Sequence, residues 1–466
     1  MMTSDELQVR LAELAATTLV PGAAVAILRG EETVSAVTGT ANMNTGAPVV
    51  PDTLFASGSI CKVFTASLIM TLVDDGLVEL DAPVQRYLPD FTLADPAKSA
   101  AVTVRMLLSH TAGLPGNFFP DDPAGPDVIE KFLQRLKALP FPGTPGKQWS
   151  YSNPGMATLG RIAEVLTKQT YDDALDQRVL RPLGLNATTY ADRMIMGSTA
   201  IGHMVDPATG DVTPAPLLRK WFGNAPAGST LWLDVAALIG LARLHLDGGL
   251  AADGRRVLSA ESVAAMQTPQ TEIWGGFPYP RWGLGWGIVD VGDRRLVAHA
   301  GGNIGMQSTL WVIPDQHAAV AVLTNSNTGY GLHSVLSAEI LEQEFGLELP
   351  TPQSPPDVPE PVDPSLYVGR YEAVEGRLVI TSDANGGLYV QIEPEPSQVE
   401  VGRLLGGPQE PVRFPMTCVD AERSRFLVAA GPEGSPVASM PVEFYEADSA
   451  GRPRLARLFY LAERVG

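Results

Sequence analysis

The most constraining feature of this sequence is an apolar segment that opens with a serine and a lysine three residues apart. Ser59 and Lys62 begin the stretch, and the residues up to Leu72 are almost all apolar or small. A helix that is apolar on all sides belongs in the middle of a domain, so we expect a central helix that ends at residues 74–76. Residues three apart share one face of a helix, so the Lys62 amine can reach the Ser59 hydroxyl.

This spacing suggests a nucleophile beside its base. A buried amine has a lowered pKa, and a neutral amine can accept the proton of a serine hydroxyl. The pair alone also fits a serine at a helix start beside a lysine that reaches solvent. The catalytic interpretation is favoured because lysine is rare in this chain, and only Lys62 follows a serine by three residues. The lysines stand at positions 62, 98, 131, 137, 147, 168 and 220.

Length and composition set the outer limits. A chain of 466 residues predicts two domains with a large core. Its net charge of -19 argues against nucleic acid and anionic membranes as partners. Two cysteines, at 61 and 418, exclude a disulfide framework, and six histidines without ligand-like spacing indicate neither a metal nor another cofactor. The start lacks a leader pattern and no segment is apolar enough to span a membrane, so we expect a cytoplasmic protein.

Later segments offer candidate cleft residues. Tyr151 and Asn153 lie two apart in a loop rich in Pro and Gly, where an extended or turn backbone would point both into one cleft. The phenol can relay a proton and the amide can hold a substrate carbonyl. His299 lies on a predicted strand before Gly301 and Gly302, where another backbone can approach closely. Taken alone, Tyr151-x-Asn153 is also typical of an ordinary turn.

Two further positions have a structural and a functional interpretation. Gly228 marks either a tight approach to the cleft or a plain helix start. His110 is interpreted as a residue that fixes a turn after a helix, rather than as a general base. Strands are predicted at 23–28, 33–39, 308–313 and 318–324, the last two joined by a turn as an antiparallel pair, which indicates an α+β fold.

In this order, Ser59-x-x-Lys62, Tyr151-x-Asn153 and His299-Ala300-Gly301 resemble the motifs of the serine penicillin-recognising superfamily. That superfamily includes class C β-lactamases, penicillin-binding proteins, esterases and D-amino-acid peptidases. The resemblance covers roughly residues 5–346. It implies an α+β fold with an antiparallel sheet flanked by helices and an all-helical subdomain. Many members carry a lysine at the third motif, so His299 weakens the case for β-lactam hydrolysis.

The resemblance also implies roles. Ser59 would attack a carbonyl and form an acyl-enzyme, while Lys62 and Tyr151 would share the proton transfers. Asn153 would position the acyl group, and His299 would support the tyrosine or contact substrate. The backbone amides of Ser59 and Gly302 would form an oxyanion hole, worth about 3 to 4 kcal/mol in the transition state. Gly228 and Gly301 would border the substrate.

The last quarter of the chain has a different character. We predict a catalytic domain over 1–348, a proline-rich linker over 349–365 and a β-barrel domain over 366–466. Short strands are expected at 367–371, 378–381, 388–392, 426–429, 442–445 and 455–461, with a hairpin turn at Asn385-Gly386. This part resembles the lipocalin-like domain of some peptidases of the superfamily and of stand-alone penicillin-binding-protein-type thioesterases, which cyclise nonribosomal peptides. By that resemblance, Arg454, Arg457 and Arg464 are candidates for holding the peptide's carboxyl-terminal end, although solvated surface arginines are the ordinary interpretation.

The leading hypothesis is an acyltransferase that takes a peptidyl thioester, ending in a D-residue, onto Ser59 and closes it head to tail. Its substrate would be a peptidyl thioester or peptide, which a carrier protein can present. The alternative is a D-amino-acid-specific peptidase or esterase that uses water. A third hypothesis is a noncatalytic protein that keeps the cleft to sense a peptide.

Overall fold

The computed structural model describes residues 1–206, 208–276, 278–405, 410–429 and 439–465. In these residues the chain forms an α+β body, made of an antiparallel sheet flanked by helices, and a separate closed antiparallel barrel. Both parts of the predicted fold class are confirmed. None of the described helices is long and apolar enough to cross a membrane.

The sheet of the α+β body is antiparallel throughout its paired strands. Its central strands are buried on both faces, because helices cover each side. The four predicted strands all lie in this sheet. In the described residues its strands, from one edge to the other, are Ala47–Pro48, Glu32–Asn42, Gly22–Arg29, Ala318–Thr324, Met306–Ile313, Arg294–Asn303, Gly287–Val291, Arg281–Trp282 and Thr271–Glu272.

Alternate residues of the central strands face two different cores. On one face Val25 and Ile27 pack with helices Ser4–Thr17 and Gly329–Phe345. On the other face Ala24 and Ala26 belong to the larger core, which contains the helical part of the body. This alternation is the period of two that a strand imposes on its side chains.

The apolar segment forms the predicted central helix, Cys61–Asp74, and every residue from Cys61 to Leu72 is buried. A single 3-10 turn, Gly58–Ile60, leads into it and carries the serine. The remaining described α-helices are Pro96–Ala101, Val104–Leu108, Val128–Leu136, Asn153–Thr167, Tyr171–Leu175, Ala191–Met196, Val235–Leu246, Ala260–Met266 and Val399–Leu405, and Asp176–Leu180 is a π-helical turn.

Two small sheets complete the α+β body. One pairs Trp232–Leu233 with both Phe55–Ala56 and Ala187–Thr188, and so ties the segment before Ser59 to the helical part. The other pairs His203–Val205 with Val212–Pro214.

The barrel closes because its first strand pairs with its last. Gly386, at a φ of +83°, forms the predicted hairpin turn. The strand Val412–Asp420 was not predicted. The strands are Gly369–Ala373, Gly376–Ser382, Leu388–Pro394, Val412–Asp420, Arg425–Val428, Met440–Ala447, Pro453–Arg457 and Leu461–Val465.

One predicted barrel strand is wrong in a way that matters for the site. Residues 455–461 were expected to form one strand, but Pro453–Arg457 ends and Leu461–Val465 begins on either side of a turn at 458–460. The turn has no Gly, Pro or Asn to mark it. Contacts with the α+β body stabilise it instead: the Leu461 amide donates to Ser150 Oγ at 3.3 Å, and the Tyr460 ring lies against Gly116.

Candidate active site

Ser59 and Lys62 lie side by side, as their spacing predicted. Lys62 Nζ is 3.0 Å from Ser59 Oγ and 2.7 Å from the carbonyl oxygen of Ala227. The serine is half-buried at the wall of a cleft, whereas the lysine is fully buried in the central helix. The 3-10 turn directs the hydroxyl outward from the helix start, and the first turn of the α-helix brings the amine under it.

Burial lowers the pKa of Lys62 to about 7, and the nearby Cys61 thiol opposes only part of that shift. Among the described residues no carboxylate forms a salt bridge with this amine. The amine is therefore largely neutral slightly above neutral pH, which is the state that accepts a proton from serine. The Cys61 thiol is buried with its pKa raised to about 11, so it is inert packing rather than a second nucleophile.

Tyr151 covers the Lys62 amine, which lies 4.8 Å from the centre of the phenol ring. Burial raises the pKa of Tyr151 well above its usual value, and a hydrogen bond with Ser59 offsets only part of that rise. The phenol thus keeps its proton while Lys62 loses one. The ring is held between His110, at 4.5 Å between ring centres, and Trp282, at 5.8 Å.

His110 has the structural role that its sequence context predicts, which is to fix a turn after a helix. It follows helix Val104–Leu108 with a φ of +57°. Its Nδ1 accepts the Ser152 amide at 3.2 Å and its carbonyl oxygen accepts the Ser150 amide. It fixes the loop that carries Tyr151. Burial lowers the pKa of His110 well below its usual value, so the ring is neutral.

His299 lies behind Tyr151 rather than in the cavity. It is buried on the strand Arg294–Asn303, 6.4 Å from the Tyr151 ring, and its Nδ1 is 2.6 Å from the Ala300 carbonyl oxygen. Burial and the nearby Lys62 lower the pKa of His299 to about 3, so it is neutral. Of the two roles considered for His299, this placement favours support of the tyrosine over contact with substrate.

The glycines around Ser59 permit a close approach of three backbone segments. A Cβ on Gly301 would lie 2.2 Å from the Ser57 carbonyl oxygen, and one on Gly228 would lie 2.0 Å from the Gly58 carbonyl oxygen. Gly228 also has a φ of +123°. Of the two interpretations of Gly228, the structure thus favours the tight approach. Gly302 is exposed in the cleft beside Ser59, where the oxyanion hole is expected.

Asn153 begins a helix instead of lying in an open turn, with Ser152 as its N-cap. Its Nδ2 donates to Asn117 Oδ1 at 2.6 Å. Its Oδ1 is buried and accepts no hydrogen bond from the described part of the chain, and the same is true of Asn224 Oδ1. The two amide oxygens line the serine cavity, where both can accept N–H groups of a peptide.

The cavity at Ser59 has a volume of about 220 Å³ and is lined in part by the barrel. Tyr460, from the turn at 458–460, faces the serine together with Phe119 and Trp221. Sequence reasoning missed Tyr460, Asn117 and Asn224. Asn117 lies in an irregular segment and Asn224 at a kink in the 3-10 segment Phe222–Ala227, and neither belongs to a motif. Tyr460 was assigned to a strand.

The three candidate arginines of the barrel are bound to protein groups. Arg454 pairs with Glu446 and Glu463 and donates to the Pro142 carbonyl oxygen at 3.2 Å. Arg464 donates to carbonyl oxygens within the barrel, those of Leu366 and Val368. Neither lines the described part of the Ser59 cavity, so the structure does not bring these two to the site.

Arg457 lies nearer to the site than Arg454 and Arg464, but its guanidinium is also bound to protein groups. It is buried, pairs with Glu443 at 3.1 Å, and donates to the Trp274 carbonyl oxygen at 3.0 Å. It lines a neighbouring cavity that also contacts Tyr151 and Tyr460. Its contacts join the barrel to the α+β body.

The arrangement matches the requirements of acyl transfer through a serine ester. The Ser59 hydroxyl lies beside a neutral amine and shares its cavity with a protonated phenol, so a proton can be taken and returned. Ser59 and Gly302 line the same cavity as the two amide oxygens that lack a partner among the described residues. The described residues contain no cluster of three or more metal-ligating side chains.

Comparison with known proteins places this geometry in context. A family model described as "Beta-lactamase" matches residues 9–344. "Penicillin-binding protein 4" of Amycolatopsis lactamdurans is 36% identical over 361 residues, which cover 77% of this chain and 94% of that protein. "Unguisins hydrolase ungD'" of Aspergillus campestris is 27% identical, covering 70% of this chain and 63% of that protein.

Among solved structures, that of SurE matches over 99% of both chains with a TM-score of 0.80 and 26% identity. A second structure, of SurE with D-Leu, matches over the same shares with a TM-score of 0.78. The similarity therefore extends over the barrel as well as the α+β body.

Proposed function

This chain belongs to the β-lactamase family, the serine hydrolases that include penicillin-binding-protein-like enzymes, and from this premise we propose that it is a peptide acyltransferase. Its substrate is a peptidyl thioester with a D-residue at the carboxyl end, which a carrier protein can present. Ser59 takes up the peptidyl group, and the peptide's own amine then displaces the serine, so that the product is a head-to-tail ring.

The observation that carries the proposal is the position of Tyr460. This barrel residue lines the Ser59 cavity together with Phe119 and Trp221, so the acyl-enzyme would lie among aromatic rings. These rings displace water from the part of the wall that they form. An amine that is held in place by the rest of its own peptide is then the better acceptor, because attack within one molecule replaces a bimolecular step.

The acylation step uses the neutral Lys62 amine. As Ser59 Oγ attacks the thioester carbonyl, its proton moves to Lys62 Nζ, 3.0 Å away. The bond from the carbonyl carbon to sulfur then breaks, and the thiolate takes up a proton to leave as a thiol. Tyr151, which stays protonated, is placed to donate that proton and to be recharged by Lys62.

In the second step the acyl-enzyme meets an amine. The new C–N bond forms as the bond from the carbonyl carbon to Ser59 Oγ breaks, and the serine recovers its proton. Because a terminal amine begins as an ammonium, the complete reaction releases one proton to solvent along with the amide and the thiol. The amides of Ser59 and Gly302 stabilise the negative oxygen in both steps.

The D-residue has independent support. SurE, which matches over the whole described fold, has been solved with D-Leu. Asn153 and Asn224, whose amide oxygens are unpaired in the described residues, can accept the N–H groups next to the scissile carbonyl.

A second candidate is hydrolysis of the same acyl-enzyme by water, as in a D-amino-acid-specific peptidase or esterase. The observation that favours it is the relative named as a hydrolase. Both functions share the first step and differ only in the acceptor.

The deciding experiment offers the full-length protein a linear peptidyl thioester that ends in D-leucine and has a free amine. A product lighter than the linear acid by one water is the ring, and we expect it to predominate. Exclusive formation of the linear acid would contradict cyclisation and would support the second candidate function, hydrolysis by water.

The nucleophile is tested separately by intact-protein mass spectrometry. Wild type should gain the mass of the peptidyl group, and Ser59→Ala should not. Ser67→Ala is a matched control, because Ser67 lies on the same helix and its hydroxyl donates to the Val63 carbonyl oxygen within that helix. An adduct on Ser59→Ala would refute the assignment of Ser59.

A further inference from the structure

The barrel contains a second cavity, here called the barrel pocket, which the acyl-transfer mechanism does not use. It has a volume of about 550 Å³. Most of its wall is aliphatic or aromatic, so it can desolvate an apolar side chain. The apolar lining includes Leu378, Ile392, Val401, Phe414, Met440 and Ala462.

One carboxylate in this wall is incompletely bonded. Glu375 lies at the turn between strands Gly369–Ala373 and Gly376–Ser382. One of its oxygens accepts the Asn117 amide, and the Gly116 amide also faces the carboxylate. The other oxygen, Oε2, is buried and accepts no hydrogen bond from the residues that the structure describes. Burial raises the pKa of Glu375 to about 7 despite those amides.

The other charged groups of the barrel pocket are already paired. Arg377 and Glu393 lie 3.8 Å apart, and Glu393 also accepts a hydrogen bond from Gln391. When Glu375 is ionised, its carboxylate therefore lacks a counterion in the described part of this wall. A buried charge of this kind favours a cationic ligand, because an unpaired carboxylate is costly to bury.

The barrel pocket and the Ser59 cavity share a wall. Asn117, Phe119, Leu405 and Tyr460 line both of them. The backbone amide of Asn117 donates to the Glu375 carboxylate. The side-chain oxygen of Asn117 accepts a hydrogen bond from Asn153 in the Ser59 cavity. A group that binds at Glu375 is thus separated from the serine cavity by one layer of side chains.

We propose that the barrel pocket binds the N-terminal residue of the peptide, with its ammonium at Glu375 Oε2 and its apolar side chain inside the barrel. This rests on the proposed function, in which the terminal amine is the acceptor. The pocket would keep both ends of one peptide on the two sides of the shared wall, and the amine would cross to the ester once the chain is acylated.

The binding test uses Ser59→Ala full-length protein, which cannot turn over, and isothermal titration. Leucylglycinamide is the probe, and N-acetyl-leucylglycinamide and glycylglycinamide are its controls. Loss of the ammonium or of the apolar side chain should each weaken binding at least tenfold. Equal affinity for the free and acetylated peptides, or no binding of the free peptide at millimolar concentration, would overturn the proposal. This test varies the peptide alone, so it does not depend on how a barrel variant folds.

The residue is tested by Glu375→Gln, which keeps an oxygen that can accept the Asn117 amide but removes the charge. We expect at least tenfold weaker binding of leucylglycinamide and unchanged binding of the acetylated peptide. Glu372→Gln, an exposed carboxylate three residues earlier, is the control for net charge and should bind as the parent does. Parental affinity in Glu375→Gln would overturn the proposal.

The two proposals fail in different ways. If peptide binding requires the ammonium but the product is purely linear, the proposed ligand of the barrel pocket stands and cyclisation is refuted. If wild type and Glu375→Gln form the cyclic product equally well, the cyclisation proposal stands and the proposed role of the barrel pocket is refuted.

Discussion

Lys62 Nζ lies 3.0 Å from Ser59 Oγ although the lysine is fully buried in the most apolar helix of the chain. Burial of a lysine ordinarily costs stability. Here it lowers the pKa of the Lys62 amine to about 7. The same feature therefore supplies both the position and the protonation state of the base.

The rate of acylation should depend on pH through Lys62. Below pH 7 the amine is an ammonium and cannot accept the serine proton, so the single-turnover rate should fall about tenfold per unit. Above pH 7 it should reach a plateau. Stopped-flow measurement with an activated ester provides the profile. A flat profile between pH 5 and 8 would contradict this role of Lys62.

Lys62→Met should abolish acylation yet change stability in a pH-dependent way. The folded pKa of about 7 is below the usual 10.5, so between these values the unfolded chain binds more protons and wild type gains stability as pH rises. The slope is about 1.4 kcal/mol per pH unit. Lys62→Met should lack this rise in urea unfolding curves, and an identical slope in both proteins would refute the pKa shift.

Tyr151→Phe should keep the fold and lose the proton relay. The ring still packs between His110 and Trp282, but the hydroxyl next to Ser59 is gone. We expect kcat to fall about a hundred- to ten-thousandfold with unfolding temperature nearly unchanged. The measurement is steady-state kinetics beside a thermal melt. A loss below threefold would assign proton transfer to Lys62 alone.

Gly301→Ala should destabilise the protein and disturb the nucleophile together. The new Cβ would lie 2.2 Å from the Ser57 carbonyl oxygen and 2.9 Å from the Ser59 nitrogen. We expect a loss of about 1 to 3 kcal/mol in unfolding free energy, together with slower acylation. Gly331→Ala is the control, because it lies in a helix with its nearest neighbour at 3.6 Å and should be neutral or stabilising.

Arg457 and Arg454 should differ in their contribution to stability. Arg457→Met leaves the buried Trp274 carbonyl oxygen without its donor and removes one cation from Glu443. Because Glu443 keeps Arg425 and Tyr445 as donors, the change should cost about 1 to 3 kcal/mol. Arg454→Met removes two partly exposed ion pairs, with Glu446 and Glu463, and should cost about 1 kcal/mol or less. Denaturant unfolding measures both. An unchanged stability with a raised KM in Arg457→Met would instead restore the substrate-binding role for that arginine.

Some of this protein was determined by its sequence alone. The central helix, the position of the lysine beside the serine, the antiparallel pair at 308–313 and 318–324 and the existence of C-terminal strands all follow from spacing and periodicity within short segments. Such features are local, so one stretch of residues carries both the signal and the structure.

Only the tertiary structure decided what surrounds Ser59. Tyr460 and Glu375 belong to barrel turns, and it is the docking of the barrel on the loop at Gly116 and Asn117 that brings them to the serine cavity and its shared wall. The same docking gives Arg454 and Arg457 protein partners. Contacts between segments so far apart in the chain depend on how two folded surfaces fit, and no local pattern of residues records that fit.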